Sequence, residues 1–235
     1  MTKYVDIIYP EDKDNKYPSK LAKYLYDRFM KLAKTGTQAA GEKRKILDIG
    51  CSTGEALRRF AEFEDFDLYG VDIRIEDAPD INFKKCNIEQ NRIKHPDNYF
   101  DFVYSKSVLE HVTHTDNFIS EALRVLKPDG VFVALTPDWK SQQSIFWDDY
   151  THVKPFTRKG LRDCLKIKGF EESNCEYFYQ LPFLWKYPSL SFIAKLIALV
   201  PDSWKWKDKE QRNTKDRKLI RFSKEKMLLC YGVKK

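Results

Sequence analysis

Residues 45–136 alternate between short apolar segments and helical segments, and this order constrains the fold more than any other feature of the chain. The predicted strands are Lys45–Ile49, Asp67–Ile73, Ile81–Cys86, Asp101–Ser105 and Val131–Thr136. Helices are predicted between them at Glu55–Phe63 and Asp116–Leu126. Strands that alternate with helices and are apolar on both faces form a parallel sheet that helices cover on both sides. The sequence therefore predicts an α/β fold.

The flanking segments add further elements to this pattern. A polar arm precedes a helix predicted from Ser19 to about Lys34, and another helix is predicted at Thr157–Lys168. Two later strands are predicted at Asn174–Tyr179 and Met227–Val233, with an insertion between them. We expect one domain over 1–235, divided into an arm and helix at 1–43, a core at 44–179, a helical lid at 180–226 and a last strand at 227–235.

The composition is that of a soluble globular protein, with 42% hydrophobic and 33% charged residues. No apolar run approaches the ~18 residues of a spanning helix, and the first residues lack the apolar stretch of a signal peptide. The five cysteines are widely spaced, without a C-x-x-C pair. This pattern argues against a disulfide framework or a zinc cluster and favours a reducing cytoplasm. We expect a cytoplasmic protein.

Charge is distributed unevenly along the chain. Residues 151–235 carry 20 Lys and Arg against 9 Asp and Glu, a net charge of +11, whereas the first 150 residues have a net charge of −4. Such a basic segment fits an anionic partner, namely phosphate, a nucleic acid or a membrane surface. A lysine-rich solvated surface explains it equally well.

The strongest local signal is the turn after the first strand, DIGCSTGE. Gly50 and Gly54 permit a sharp turn and a close approach of a ligand to the backbone. The next helix presents its amino terminus to a carboxylate or phosphate. The spacing G-x-x-x-G differs from the G-x-G-x-x-G of dinucleotide sites. Asp48 suits a ligand ammonium group, and Asp72, at the end of the second strand, can accept both hydroxyls of a ribose.

Five segments in order, DIGCSTGE, GVDI, CNIEQ, FDFVYSKSVLEHV and EALRVLKPDGVFVALTP, resemble the successive motifs of class I S-adenosylmethionine-dependent methyltransferases. The resemblance covers about residues 44–170. It implies a Rossmann-like, seven-stranded and mostly parallel sheet, with helices on both faces and an antiparallel last strand. It also implies the cofactor S-adenosylmethionine, with S-adenosylhomocysteine as product.

The same resemblance assigns ten residues to the cofactor pocket. Those at the methionine end are Asp48, Gly50, Cys51, Ser52 and Gly54. Those at the ribose, the adenine and the fourth strand are Asp72, Ile73, Asn87, Ile88 and Ser105. Two of them depart from the family pattern, because Ser52 stands where many relatives have a third glycine and Asn87 where an aspartate is frequent.

The candidate catalytic residues are His111 and His152, as general bases, and Asp149, in the loop of His152. The resemblance places His111, in LEHV, beside the methyl end of the cofactor, and His152 follows the fifth strand at the same edge of the sheet. Imidazole suits removal of a proton from a hydroxyl acceptor. The segment around His152 is similar to the T-H-x-x-x-F stretch of ubiquinone-biosynthesis, sugar and glycan O-methyltransferases. Structural roles stay open: His111 can cap or pack a helix, and His152 can brace its loop through Asp149.

We expect no metal ion at this site. An alternative is a divalent cation, held by Asp148, Asp149 and His152, that acidifies an acceptor diol.

The insertion has an apolar half, LPFLWKYPSLSFIAKLIALV, followed by a basic half. This order fits an interfacial helix at an anionic membrane, through residues 181–226. A lid packed on the core, with its basic flank in water, and a dimer contact are the alternatives. We expect a monomer or a homodimer.

Taken together, the residues and the resemblance predict an S-adenosylmethionine-dependent methyltransferase. The expected acceptor is a hydroxyl of a small molecule, a sugar, or a lipid-linked glycan or quinone precursor. One alternative is an RNA or protein methyltransferase that uses the basic carboxyl-terminal half. Nucleic acid is disfavoured, because SKSV replaces the N-P-P-Y-type motif of amino-group methylation on bases. The other alternative is a cofactor-binding regulator without catalysis.

Overall fold

The computed structural model describes residues 18–31, 42–74, 78–206 and 216–235. Its strands are β1 (Lys45–Ile49), β2 (Asp67–Asp72), β3 (Asn82–Lys85), β4 (Phe100–Lys106), β5 (Leu126–Pro137), β6 (Glu171–Phe178) and β7 (Met227–Val233). They form one sheet in the order β3-β2-β1-β4-β5-β7-β6. Every neighbouring pair is parallel except the two that β7 makes with β5 and β6. The predicted seven-stranded α/β sheet with an antiparallel last strand is confirmed.

Eight α-helices surround the sheet in the described ranges. They are α1 (Ser19–Leu25), α2 (Glu55–Ala61), α3 (Thr115–Val125), α4 (Trp139–Gln142), α5 (Arg158–Ile167), α6 (Pro182–Lys186), α7 (Ser191–Ile197) and α8 (Lys218–Lys224). A π-helical turn at Tyr26–Met30 continues α1. The polar arm at 1–17, the expected helix end at 32–34 and the basic residues 207–215 lie outside the described residues.

The core consists of two apolar layers, one on each face of the sheet. In β1, Leu47 and Ile49 face the layer that includes α3 and α5, whereas Ile46 faces the layer that includes α1 and α2. This alternation follows from the two-residue period of a strand. Helices therefore cover both faces, as the continuously apolar strands predicted.

β5 begins earlier than predicted. Leu126 already pairs with Phe100 of β4, and a register shift follows before Val131. The Lys-Pro-Asp-Gly stretch at 127–130, between the helix predicted to end at Leu126 and the strand predicted from Val131, therefore lies within the strand. Its backbone forms hydrogen bonds with the last residues of the sequence: Asp129 N donates to the Lys234 carbonyl at 2.7 Å, and Lys234 N donates to the Gly130 carbonyl at 3.0 Å.

Cys175 and Cys230 form a disulfide, which the sequence did not predict. They lie 55 residues apart and become neighbours only because β6 and β7 pair in a register that places them opposite each other. The other three cysteines, Cys51, Cys86 and Cys164, are not in disulfide bonds. The disulfide removes the support that cysteine usage gave to a reducing compartment.

The insertion at 180–226 supplies α6, α7 and α8 and begins at the carboxyl end of β6. Trp185 anchors it by stacking on Phe178, with ring centroids 5.3 Å apart, and by lying equally close to Tyr24 of α1. Within the described ranges, the helices are too short or too polar to cross a bilayer.

Candidate active site

The turn after β1 depends on two glycines. Gly50 has φ +81° and Gly54 has φ +79°, in the left-handed region that favours glycine. A Cβ on Gly50 would lie 2.2 Å from Val108 Cγ2, and one on Gly54 would lie 2.2 Å from Ile81 Cδ1. Glycine is therefore required here by backbone conformation and by space. Ser52, between them, also has a positive φ of +46° and is exposed.

Asp72 closes this turn from the end of β2. One carboxylate oxygen accepts a hydrogen bond from Ser52 N at 2.9 Å, and the other accepts from Arg74 N at 3.2 Å. Each oxygen keeps a lone pair for a further donor. The half-buried Ile73 follows directly. This arrangement leaves a fixed pair of acceptors at the strand end, as recognition of a diol requires.

Asp48 lies deeper in the same turn, at 4% exposure. Burial, reinforced by the Asp72 carboxylate, raises the pKa of Asp48 to about 8, and Lys106 opposes this. The carboxyl group of Asp48 accepts no hydrogen bond from any residue in the described part of the chain. A buried carboxyl without a protein partner is suited to a cationic ligand, which would offset the cost of burying its charge.

The remaining predicted pocket residues hold the backbone. Cys51 packs its side chain toward β2, where a Cβ on Gly70 would lie 2.6 Å from its Sγ. Ser105 Oγ donates to the Ile49 carbonyl at 2.9 Å and so ties β4 to β1. Asn87 Oδ1 accepts from Glu89 N at 3.1 Å, next to the buried Ile88. The hydroxyl of Ser105 and the amide oxygen of Asn87 thus already have protein partners.

His111 and His152 lie side by side, with ring centroids 4.8 Å apart. His111 ends a 3-10 turn after β4, and His152 lies in the loop that follows α4. His152 Nδ1 lies 2.7 Å from the Phe146 carbonyl oxygen, which can only accept, so this nitrogen carries the proton. Nε2 of neutral His152 therefore keeps its lone pair.

A side-chain relay fixes His111 in the same way. Asp149 Oδ1 accepts from the Thr151 hydroxyl at 2.6 Å and from Thr151 N at 2.9 Å. Because that hydroxyl donates to Asp149, it accepts from His111 Nδ1 at 2.9 Å. Burial and the neighbouring His152 lower the pKa of His111. Asp149 thus acts mainly on Thr151 and His111, since its other oxygen is 3.9 Å from His152 Nε2.

Glu110 belongs to this cluster, although the sequence analysis missed it. Its carboxylate is buried and accepts from Thr136 Oγ1 at 2.8 Å, and burial raises its pKa to about 7. Its backbone carbonyl accepts from Val153 N and Lys154 N, which ties the His152 loop to the end of β4. The only available signal was its position beside His111 in LEHV.

One compact set of metal-ligand atoms occurs among the described residues. Glu110, His111 and His152 each offer a ligand atom, and these atoms lie within 4.8 Å of one another. Asp148 and Asp149, named in the alternative metal site, are not part of this set. If a cation binds here, the geometry favours two imidazoles and one carboxylate rather than two aspartates.

Comparison with known proteins identifies the family. Residues 17–172 match the family model described as "Methyltransferase domain". The chain belongs to the class I S-adenosylmethionine-dependent methyltransferases. A solved S-adenosylmethionine-dependent methyltransferase from Archaeoglobus fulgidus has the same fold, with a TM-score of 0.60 and 22% identity over 92% of this chain and 95% of that one.

Curated methyltransferases align with part of the chain. A sterol 24-C-methyltransferase of Aspergillus fumigatus is 35% identical over 104 residues, which is 39% of this chain and 27% of the relative. A 2-methyl-6-phytyl-1,4-hydroquinone methyltransferase of Synechocystis sp. is 27% identical over 147 residues, which is 54% of this chain and 46% of the relative. The alignments therefore span less than half the length of these relatives.

The residues of this methyltransferase fit the cofactor of its family. The Asp48 carboxyl without a protein partner suits the ammonium group of S-adenosylmethionine, and the two oxygens of Asp72 suit ribose hydroxyls. A Cβ is absent at Gly50 and Gly54, where the chain turns toward the pocket. This fit rests on side-chain chemistry and space at the carboxyl edge of β1 and β2.

Proposed function

We propose that the protein transfers a methyl group from S-adenosylmethionine to a hydroxyl of a small molecule, a sugar, or a lipid-linked glycan or quinone precursor. The observation that carries this proposal is the pair His111 and His152, each with Nδ1 held by a hydrogen-bond acceptor. An imidazole whose proton is on Nδ1 has a lone pair on Nε2, which is suited to accept a hydroxyl proton.

The residues divide the work between two sides of the carboxyl edge. Asp48, Gly50, Ser52, Gly54 and Asp72 would hold the cofactor, which when bound would supply an electrophilic methyl group and leave as S-adenosylhomocysteine. On the other side, His111 or His152 would accept the proton of the acceptor hydroxyl at Nε2. The Thr151–Asp149 relay keeps the His111 proton on Nδ1. No covalent enzyme intermediate is needed, because the reaction is one displacement.

The test is methyl transfer from radiolabelled S-adenosylmethionine into an extract of the source cell, followed by organic–aqueous partition and nuclease treatment. Label in the organic phase supports a lipid-linked or quinone-type acceptor. Aqueous label that survives nuclease supports a sugar or another small metabolite. Label lost on nuclease treatment contradicts the proposal in favour of RNA, and cofactor binding without any labelled product contradicts it in favour of a regulator.

A carbon acceptor is the second candidate, and the relatives favour it. One of them is named for the methylation of a sterol carbon and another for a phytyl hydroquinone. Hydriodic acid cleaves a methyl ether to methyl iodide but leaves a carbon-bound methyl group in place. Release of the label by this reagent supports the hydroxyl acceptor, whereas retention supports carbon.

A further inference from the structure

The α7 helix turns large apolar side chains to the solvent. Phe192, Leu196 and Leu199 are 55%, 61% and 80% exposed, and their spacing of four and three residues places them on one side of the helix and the turn that continues it. The opposite side carries Ala194, which is fully buried in a small apolar cluster. We call Phe192, Leu196 and Leu199 the α7 outer face.

Half-exposed aromatic residues lie near both ends of this helix in the chain. Tyr187 precedes α7, and Trp204 follows it in a short 3-10 turn. Tyrosine and tryptophan are enriched where protein meets the interface between lipid and water, because one part of the ring system is apolar and the other polar. Their exposure and their positions before and after α7 in the chain are typical of a segment that meets that boundary.

The segment that carries this face has a strongly positive net charge. Residues 180–226 contain 12 Lys and Arg and 5 Asp and Glu, so this segment alone has a net charge of +7, equal to that of the whole chain. The acidic residues of its described part are neutralised internally, in the pairs Asp202–Lys224, Asp216–Arg221 and Glu225–Lys205. The cations that remain are therefore the charges this segment offers to a partner.

Two of those cations lie on α7 and on α8, the helix that packs against α7. Lys195 on α7 and Lys218 on α8 are exposed, and neither pairs with a carboxylate among the described residues. A second copy of the chain is a poor occupant for this face, because two such segments would bring like charges together. An anionic surface with an apolar interior matches both the charge and the exposed side chains.

We propose that the α7 outer face and its neighbouring lysines dock the protein on the surface of a membrane that contains anionic lipids. The insertion lies at the carboxyl edge of the sheet, and its end is tied to α4, because Gln142 Nε2 donates to the Lys226 carbonyl at 2.7 Å. α4 leads into the loop that carries His152. The inference goes beyond methyl transfer and does not depend on it.

The experiment is flotation of the full-length protein with vesicles of phosphatidylcholine alone or of phosphatidylcholine mixed with phosphatidylglycerol. We expect the wild type to bind the mixed vesicles at low salt and to be released by salt. The double variant F192S/L196S is expected to lower the partition coefficient at least about tenfold. K195E/K218E is expected to lower it by about fivefold or more for each lysine.

Matched control variants come from the exposed side of α5. Ile167 is 82% exposed and the neighbouring Lys166 is exposed, so I167S and K166E make the same chemical changes away from the proposed surface. Both are expected to bind as the wild type does. All variants are checked for an unchanged circular dichroism spectrum and S-adenosylhomocysteine affinity.

Three results would overturn the proposal. They are no binding of wild type to the mixed vesicles at low salt, equal binding by F192S/L196S, or a wild-type dimer in light scattering that F192S/L196S converts to a monomer. The last result would assign the face to a second copy. Vesicle binding needs neither cofactor nor acceptor. A protein that does not bind vesicles can therefore still transfer methyl groups, and a protein without turnover can still bind vesicles.

Discussion

The two halves of the carboxyl edge are built by different means. At the proposed cofactor half, after β1 and β2, the backbone dominates: two glycines have positive φ and no room for a Cβ, and the Ser52 and Arg74 amides donate to Asp72. At the proposed acceptor half, after β4 and β5, side chains dominate, in a chain of hydrogen bonds from Asp149 to His111. We therefore expect substitutions in the first half to disturb the backbone and those in the second to affect proton transfer.

The largest expected effect is on kcat, and it should leave cofactor affinity unchanged. Replacing both imidazoles, in H111A/H152A, removes both proposed proton acceptors and should lower kcat about a thousandfold. The dissociation constant for S-adenosylhomocysteine, measured by calorimetry, should stay unchanged because neither residue lines the cofactor turn. His114→Ala, an exposed histidine nearby, serves as the control. Intact turnover in the double variant would remove the histidines from the mechanism.

A substitution in the cofactor half should instead lower the affinity for the cofactor. Gly50→Ala places a methyl group against Val108 and strains a left-handed residue, so we expect a loss of about 3 kcal/mol in the free energy of unfolding and about a hundredfold in cofactor affinity.

The matched control is Gly169→Ala. Gly169 also has a positive φ, of +100°, but a Cβ there meets only an ordinary contact with Leu123 at 3.5 Å. It should cost about 1–2 kcal/mol of stability and no cofactor affinity. Equal losses in the two variants would show that backbone strain alone, without the clash, explains the role of Gly50.

Asp48→Asn tests whether the buried carboxylate that would bind the ligand ammonium group lowers the stability of the folded protein. The pKa of Asp48 is raised from 3.8 to about 8, so its ionisation is disfavoured in the folded state. The wild type should therefore lose stability as pH rises between these two values, and D48N should not. We expect D48N to unfold at a temperature several degrees higher at pH 8, with only a small difference at pH 4.

The same variant should bind S-adenosylmethionine about tenfold more weakly, since it lacks the carboxylate for the ammonium group. Thermal unfolding at a series of pH values, together with calorimetric titration, checks both parts. A pH-independent difference in unfolding temperature would contradict the raised pKa, and unchanged affinity would remove Asp48 from the pocket.

Sequence alone predicted the glycine turn after β1 better than the hydrogen bonds around the histidines, for a physical reason. The need for glycine at Gly50 and Gly54 is local, because a turn of that kind admits no Cβ, and β1 matches its predicted bounds. Glu110 and Thr151 were missed because their importance comes from burial and from partners 26 and 40 residues away. The Cys175–Cys230 disulfide was missed because only strand register brings its sulfur atoms together.

Family resemblance, rather than periodicity, predicted the number of strands and the antiparallel β7. Periodicity placed β7 at its observed bounds but could not reveal its direction. The start of β5 was missed because Pro128 and Gly130 are typical of turns, whereas here their neighbours pair with β4 and with the chain end. The roles of the individual site residues, and the division into core and lid, stay predictions.

A smaller effect is expected from the relay that orients His111. Thr151→Val keeps the shape of the side chain but removes the hydroxyl between Asp149 and His111, and should lower kcat about tenfold. Thr151→Ser keeps the hydroxyl and should restore most of the rate, with KM unchanged in both. If T151S is as impaired as T151V, the methyl group packs the loop and the relay has no role in the rate.

The smallest expected effect is that of chelation, where we predict none. Glu110, His111 and His152 could hold a cation, since their ligand atoms lie within 4.8 Å of one another and the partners of both imidazoles bind Nδ1, leaving Nε2 free. The proposed reaction needs only one of these Nε2 atoms, as a proton acceptor, and no metal ion. Turnover should therefore survive dialysis against EDTA. Loss of turnover that a divalent cation restores, and that Glu110→Gln abolishes without changing cofactor affinity, would convert the acceptor half from a pair of bases into a metal centre.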